Sequence, residues 1–301
     1  LKLTQNDLIK LIHETKAVSI WNREKGPVFW YIAGVPGPYY VNTEMLIGAE
    51  AANKVLGEIT SILSESKEPN IRGGRISAAV LGEYEKNSVL KDLVSSLLNK
   101  AKEKFPAGSF DFVSGGERRD WLFSVPFAKE AGVGHAFLFK DLSVYYAGEL
   151  GKGERVLHIA DLINNAASYL DLWLPALKKA GAECAGTLCV INRGSNGMKK
   201  LEEHGIKASS LCGIDLGFFE KSKESGLISE DTLAEIAIHF ESPRNWAVRY
   251  LMGKDALFGM KTADKKSLKR MKSFFANDPW SLKPEYAEFF SSMQSSLSAG
   301  S

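Results

Sequence analysis

The sequence predicts an α/β fold, with a mainly parallel central sheet flanked by helices and a helical C-terminal extension. Three observations predict it. Short apolar strands near 110–113, 135–139, 155–160 and 184–191 alternate with segments of helical period. The stretch from 155 to 191 reads strand, loop, helix, strand at the spacing of a βαβ unit with a right-handed crossover, and such units in series build a parallel sheet covered on both faces. After about Ile214 the strand signals stop while helical ones continue.

The elements follow in order. Residues 4–16 form a first helix, capped by Thr4 with Asp7 three positions on, in capping-box spacing. Residues 18–42 are rich in aromatics and broken by Gly34, Pro36, Gly37 and Pro38, which fits short strands or a hairpin. Helical period returns over 43–64, with Val55, Leu56, Ile59, Ile62 and Leu63 on one face. Ser66 to Arg75 reads as a polar loop, and Tyr84 to Phe105 as a helix with a stripe of Leu90, Leu93, Val94, Leu97, Ala101 and Phe105. A strand at Phe110–Val113 ends in Ser114-Gly115-Gly116. A helix from Trp121 to Ala131 follows despite Pro126, and the strand at Arg155–Ala160 leads through a loop to a helix closed by Gly181. Helices are expected near 229–240, at 243–252 behind the Ser242-Pro243 start, and in parts of 264–290. The last residues, rich in serine, read as disordered. The domains expected are 1–214, including N-terminal hood elements within 1–65, then a helical extension over 215–290 and a tail over 291–301.

Composition narrows the function classes. The 301 residues are 45% hydrophobic and 25% charged, which suits a globular chain with a sizeable core. A net charge of +2 argues against broad electrostatic binding to nucleic acid or membrane surfaces. No run of 18 apolar residues exists, and the N-terminus reads as an amphipathic helix, not a signal peptide, so a cytoplasmic location is expected. Cys184, Cys189 and Cys212 form no CxxC and read as reduced, buried thiols. The five scattered histidines show no zinc-site spacing, so no metal is expected from the protein alone. GxGxxG after a strand, GxxxxGK[ST] and GxSxG are all absent.

Open parallel sheets bind ligands at the carboxyl ends of their strands, which singles out three loops. The first is Ser114-Gly115-Gly116-Glu117-Arg118-Arg119-Asp120-Trp121. Its glycines let the backbone turn and expose N–H groups, its arginines offer forked donors to phosphate, and a helix start follows. The second runs from Asp161 through Asn164, Asn165, Ala166, Ala167 and Ser168, where N–H groups can hold a phosphate and Asp161 can accept from ribose hydroxyls. The third, Asn192-Arg193-Gly194, places an arginine suited to a carboxylate or an acidic nucleobase edge. Each also reads as an ordinary turn: solvated charges in the first, a locally satisfied cap in the second, a surface arginine in the third.

From Asp111 to Leu211 the chain resembles the orotate phosphoribosyltransferases, of the type I phosphoribosyltransferase fold. The run from Asp111 to Gly116 is similar to that family's strand and diphosphate loop. Arg155 to Ser168 is similar to its phosphoribosyl-diphosphate motif, and Leu177 to Ile206 to its following helix, strand and Asp-Arg loop. Gly37 to Leu46 resembles the stretch that helps form the substrate hood. The resemblance implies transfer of phosphoribosyl from phosphoribosyl diphosphate to a nitrogenous base, with Mg²⁺ carried by the ligand, in a homodimer. The alternative is a non-catalytic sensor of the same ligand or a nucleotide. The resemblance implies Lys140 and Asp161 as catalytic residues. Gly115, Gly116, Glu117, Arg118, Arg119, Asp161, Asn164, Asn165, Ala166, Ala167 and Ser168 would hold phosphoribosyl diphosphate, and Tyr39, Tyr40 and Arg193 the base.

The departures are specific. The family's acid pair is Ala160-Asp161, its Thr/Gly-rich loop is Asn165-Ala166-Ala167-Ser168, and its Arg-Lys pair is Phe139-Lys140. The mobile loop beyond is the short, uncharged Leu142 to Tyr146, and the hood lysine is Ile32. Diphosphate departure needs dense positive charge, so these losses call for compensation, for which Arg118 and Arg119 are the candidates.

Overall fold

The computed structural model describes residues 2–22, 26–146, 153–253 and 263–299. The chain forms two compact units. The first comprises residues 1–17 and 42–218, the second 18–41 and the chain from 219 on. Residues 18–41, expected with the first domain, therefore pack with the second. The cause is aromatic: Trp21 and Trp30 are buried in a core with Trp246, Tyr250, Phe274, Phe275 and Phe290.

In the first unit, α1 (Gln5–Glu14) is held by the capping box read from the sequence, with the Asp7 N–H donating to Thr4 Oγ1 and the Thr4 N–H to Asp7. A 3₁₀ turn at Thr43–Ile47 leads into α2 (Ala49–Glu65). The expected polar loop at 66–75 is instead the start of α3 (Pro69–Tyr84). Proline occupies the first helical turn, where its missing N–H costs nothing. Arg72, which looks like a loop residue, is 4% exposed; it donates to Ser66 O and lies over the Phe139 ring. Gly73 is needed because a Cβ there would meet the Tyr145 ring at 1.9 Å. The next helix is α4 (Ser88–Lys104), capped by Asn87.

The sheet has six strands: β5 (Phe112–Gly116), β6 (Gly134–Leu138), β7 (Val144–Tyr146), β8 (Arg155–Ile163), β9 (Glu183–Asn192) and β10 (Ala208–Gly213), after β1 to β4 of the other unit. Their order is β10-β9-β8-β5-β6-β7, all parallel except β7. β8 and β9 are parallel neighbours, as the βαβ spacing requires. Between β5 and β6 runs α5 (Trp121–Ala131), buried from Trp121 to Ala128 and closed by left-handed Gly132. The segment read as a short loop is a tight turn, Lys140 to Ser143, followed by edge strand β7. Tyr145 stacks on Phe137 and packs against Gly73. A five-residue π-helical stretch, Tyr169–Trp173, precedes α6 (Leu174–Lys179), and α7 (Ser195–Glu203) links β9 to β10.

The second unit pairs β1 (Val18–Ile20) with β4 (Tyr39–Val41), and β2 (Phe29–Trp30) with β3 (Pro36–Gly37), both antiparallel. After α8 (Leu216–Glu224) come α9 (Glu230–Glu241), α10 (Pro243–Leu251), α11 (Lys265–Asn277) and α12 (Ala287–Ala299). The tail expected to be disordered is thus helical to Ala299, because Phe290, Met293 and Leu297 form one buried stripe at helical spacing; residues 300 and 301 lie outside the described residues. Among the described residues no helix is long and apolar enough to cross a membrane.

Candidate functional site

The chain runs from β5 to β6 on one side, then returns to place β8 against β5 on the other. The strand order therefore reverses between β5 and β8, and ligands of open α/β sheets bind outside the carboxyl ends of strands at such a point. The two loops richest in candidate residues, 117–120 and 164–168, both leave the sheet there.

Asp161 lies within β8 rather than in the loop after it, and is 6% exposed. Arg119 Nε stands 3.1 Å from its Oδ2, and the same guanidinium donates to Glu44 at 3.0 Å from the 3₁₀ turn. Burial pushes the Asp161 carboxyl well above the usual carboxylate range; Arg119 opposes this, and the charge of Asp120 adds to it. Asp161 in turn holds the guanidinium more firmly charged.

Asp120 was not singled out in the sequence, yet it occupies the centre. Its carboxylate accepts the N–H of Gly116 and the N–H of Asp161, each at 2.9 Å, and faces His158 Nε2 at 3.4 Å. Burial alone would raise the Asp120 carboxyl, but contacts with His158 and Asp161 hold it below the usual range. His158 Nδ1 meets Ser114 Oγ at 2.9 Å, and its backbone carbonyl accepts from Thr187 Oγ1, which also meets the Tyr169 hydroxyl. A histidine inside the apolar run 155–160 was the legible signal, since a buried imidazole needs partners. Asp120 gave none, because acids are common at helix starts.

The remaining expected residues divide. Glu117 meets Lys140 at the turn after β6: the Lys140 N–H donates to Glu117 Oε2 at 3.2 Å, and the two side chains stand 4.0 Å apart. Arg118 turns to α2, donating to Leu56 O and Thr60 Oγ1. Gly115 and Gly116 belong to β5. A Cβ on them would strike Ser124 and the Trp173 indole, so these glycines serve packing as well as any ligand. Asn164 to Ser168 turn through Ala166 at φ 58°, and Asn165 Oδ1 accepts the Ala167 N–H, which removes one donor from the expected phosphate cradle. Gly197 lies so close to this loop that a Cβ would sit 2.3 Å from Asn164 O. Arg193 follows β9, its N–H donating to Ile163 O. Tyr39 and Tyr40 belong to the second unit, where the Tyr39 ring is 4% exposed among Phe219, His239 and Phe240, and Tyr40 packs near Phe29 and Tyr31.

No three acids, histidines or cysteines stand together to hold a metal among the described residues. The site carboxylates are engaged by Arg119 and by backbone N–H groups.

The sheet order is that of the type I phosphoribosyltransferase fold. A solved structure of UMP synthase from Leishmania donovani superposes with a TM-score of 0.51 at 16% identity, covering 79% of this chain and 42% of that one. Among curated proteins, the chain is similar to orotate phosphoribosyltransferase of Roseobacter denitrificans, 28% identical over 145 residues, 46% of this chain and 64% of that protein. It also matches hypoxanthine/guanine phosphoribosyltransferase of Methanotorris igneus, 40% identical over 72 residues, 24% of this chain and 38% of that one. The chain thus spans under two thirds of the length of these curated relatives. No protein-family model matches it.

Proposed function

We propose that the chain binds phosphoribosyl diphosphate at the β5–β8 switch point and, as a divergent orotate-type phosphoribosyltransferase, transfers phosphoribosyl to a nitrogenous base. The observation that carries this is a cluster in which half-buried Arg119 and Glu44 pair with each other and Arg119 with buried Asp161, whose N–H is held by buried Asp120, at the place where such sheets bind ligands. Buried charges of this kind cost stability unless fully paired, and perturbed groups gather at functional sites.

In this reading Asp161 accepts from the ribose hydroxyls once Arg119 swings toward the diphosphate. Gly115, Gly116, Glu117, Arg118 and Lys140 line the diphosphate path, Asn164 to Ser168 hold the 5′-phosphate, and Arg193 meets the base. A ring nitrogen forms its bond to the ribose anomeric carbon as the carbon–oxygen bond to diphosphate breaks; diphosphate leaves with the electron pair and takes up the N–H proton that the base gives up. A divalent ion would enter on the ligand's own oxygens and offset diphosphate charge.

A second reading, sensing without turnover, is favoured by one observation: both loop arginines are engaged by protein partners, Arg118 on α2 and Arg119 on two carboxylates. A diphosphate-release assay with phosphoribosyl diphosphate, Mg²⁺ and a panel of pyrimidine and purine bases tests the proposal. Base-dependent release supports transfer. Saturable binding without release under every base supports the sensor.

A further inference from the structure

Asp120 begins α5, where an aspartate ordinarily accepts N–H bonds from its own first turn. It makes no such cap; the first turn is closed by its backbone carbonyl, which accepts from Phe123 and Ser124. The carboxylate is turned back instead, to the line along which β5 and β8 part. Their pairing is recorded from Phe112↔Val156 to Ser114↔His158. Just past it, one oxygen takes the N–H of Gly116 and the other the N–H of Asp161. His158, fixed by Ser114 and by the rings of Tyr169 and Trp173, backs the carboxylate from the core side.

From this geometry we infer that Asp120 is a positioning residue: a single carboxylate that locks the diphosphate loop and the ribose-binding strand to each other across the switch point. The inference rests on the proposed ligand reading for its effect on binding, but not for the brace itself. Two strands that splay would leave two buried N–H donors unsatisfied, and one charged acceptor satisfies both at the point where the ligand must touch both strands. The position also sets the electrostatics of Asp161. That carboxyl is faced by Arg119 from the loop, Glu44 from the 3₁₀ turn, Cys189 from β9 and Asp120 from the start of α5, with His158 behind. Of these, Arg119 favours ionisation of Asp161, while the charges of Asp120 and, less strongly, Glu44 oppose it.

The test is Asp120→Asn in the full chain, with three readouts. Affinity for phosphoribosyl diphosphate, by calorimetry, falls roughly ten- to a hundredfold, because one N–H loses a charged acceptor and faces an amide NH₂. The acid limb of binding moves to lower pH, because Asp161 ionises more readily without a neighbouring negative charge; loss of packing alone would not move it. Exchange of the Gly116 and Asp161 amides speeds up together, while those of Val113 and Ile159 keep their protection. Unchanged affinity with an unmoved acid limb, or amides that stay protected, overturns the inference. If the wild-type chain binds no phosphoribosyl diphosphate at any pH, the functional proposal fails, and amide exchange alone decides the brace. Should the variant not fold, carboxyl-carbon titration of the wild type decides: the inference requires Asp120 to stay ionised in the range where Asp161 takes its proton, and Asp120 taking a proton before Asp161 as the pH falls overturns it.

Discussion

Arg119→Met tests the central ion pair without leaving a large void, because the methionine stem keeps most of the arginine's aliphatic contact. Removing one partner of a buried pair costs about 3–5 kcal/mol. Two features reduce this. The Arg119 side chain is 34% exposed, so water screens part of the interaction. Asp161 can also take up a proton instead of remaining charged and unpaired. The expected loss is about 1–3 kcal/mol at neutral pH, equivalent to a Tm lowered by roughly 2–10 °C for a domain of this size. The loss depends on pH with a definite sign. A carboxyl raised in the folded state favours folding where it is protonated and opposes it as pH climbs through its folded pKa. Without Arg119 the Asp161 carboxyl rises further, so the variant's deficit grows with pH and shrinks toward the ordinary carboxylate range. Urea unfolding at pH 5 and pH 8.5 measures it. A deficit equal at both pH values, or larger at the lower one, would refute the assigned pairing.

Three further outcomes follow from the same geometry. Gly116→Ala puts a Cβ 2.3 Å from the Trp173 indole and should cost about 1–3 kcal/mol, with a change in tryptophan emission; an unaltered Tm and spectrum would show that the indole is not packed there. Asp161→Asn should weaken phosphoribosyl diphosphate by roughly one to two powers of ten while leaving inorganic phosphate affinity similar; equal loss of both would make Asp161 a structural residue. His135, bonded to Ser124, is pushed down to about 3 by burial, so its contribution to stability is complete above pH 6.5 and is lost progressively as pH falls from there toward about 3. His135→Gln should therefore flatten the acid side of the stability profile, and an unchanged slope from pH 6.5 to 4 would exclude this role.

Much of the sheet was legible because its strands are continuous apolar runs bounded by glycines and polar loops, as at 155–163 and 183–192. Helix α3 was hidden by Gly73, Gly74 and Arg72; the reasons for Gly73 and Arg72 are tertiary, a ring against the glycine and a cation over Phe139. Edge strand β7 has three described residues and was too short to carry a period. The loop residues of the site were legible from their types, but their use was not. The sequence shows two adjacent arginines; only the fold shows that Arg118 reaches α2 while Arg119 crosses to β8 and the 3₁₀ turn. Glu44 and Asp120 reach Arg119 and Asp161 from elements distant in sequence, and no spacing rule connects them. Residues 18–41 looked continuous with the first domain because chain order is visible in sequence, whereas the aromatic core that captures them is not.

The most direct measurement is a calorimetric titration of phosphoribosyl diphosphate, with Mg²⁺, into the wild-type chain and into Ala167→Glu. Ala167 is exposed at the start of the helix after β8, so the glutamate puts a charge in the expected 5′-phosphate space at little cost in stability. The wild type is expected to bind saturably, with about 2.7 kcal/mol of added stability at a hundredfold excess over Kd, and the variant not to bind, at an unchanged Tm. Binding of equal strength in both proteins, or no binding by the wild type at millimolar ligand, would contradict this expectation.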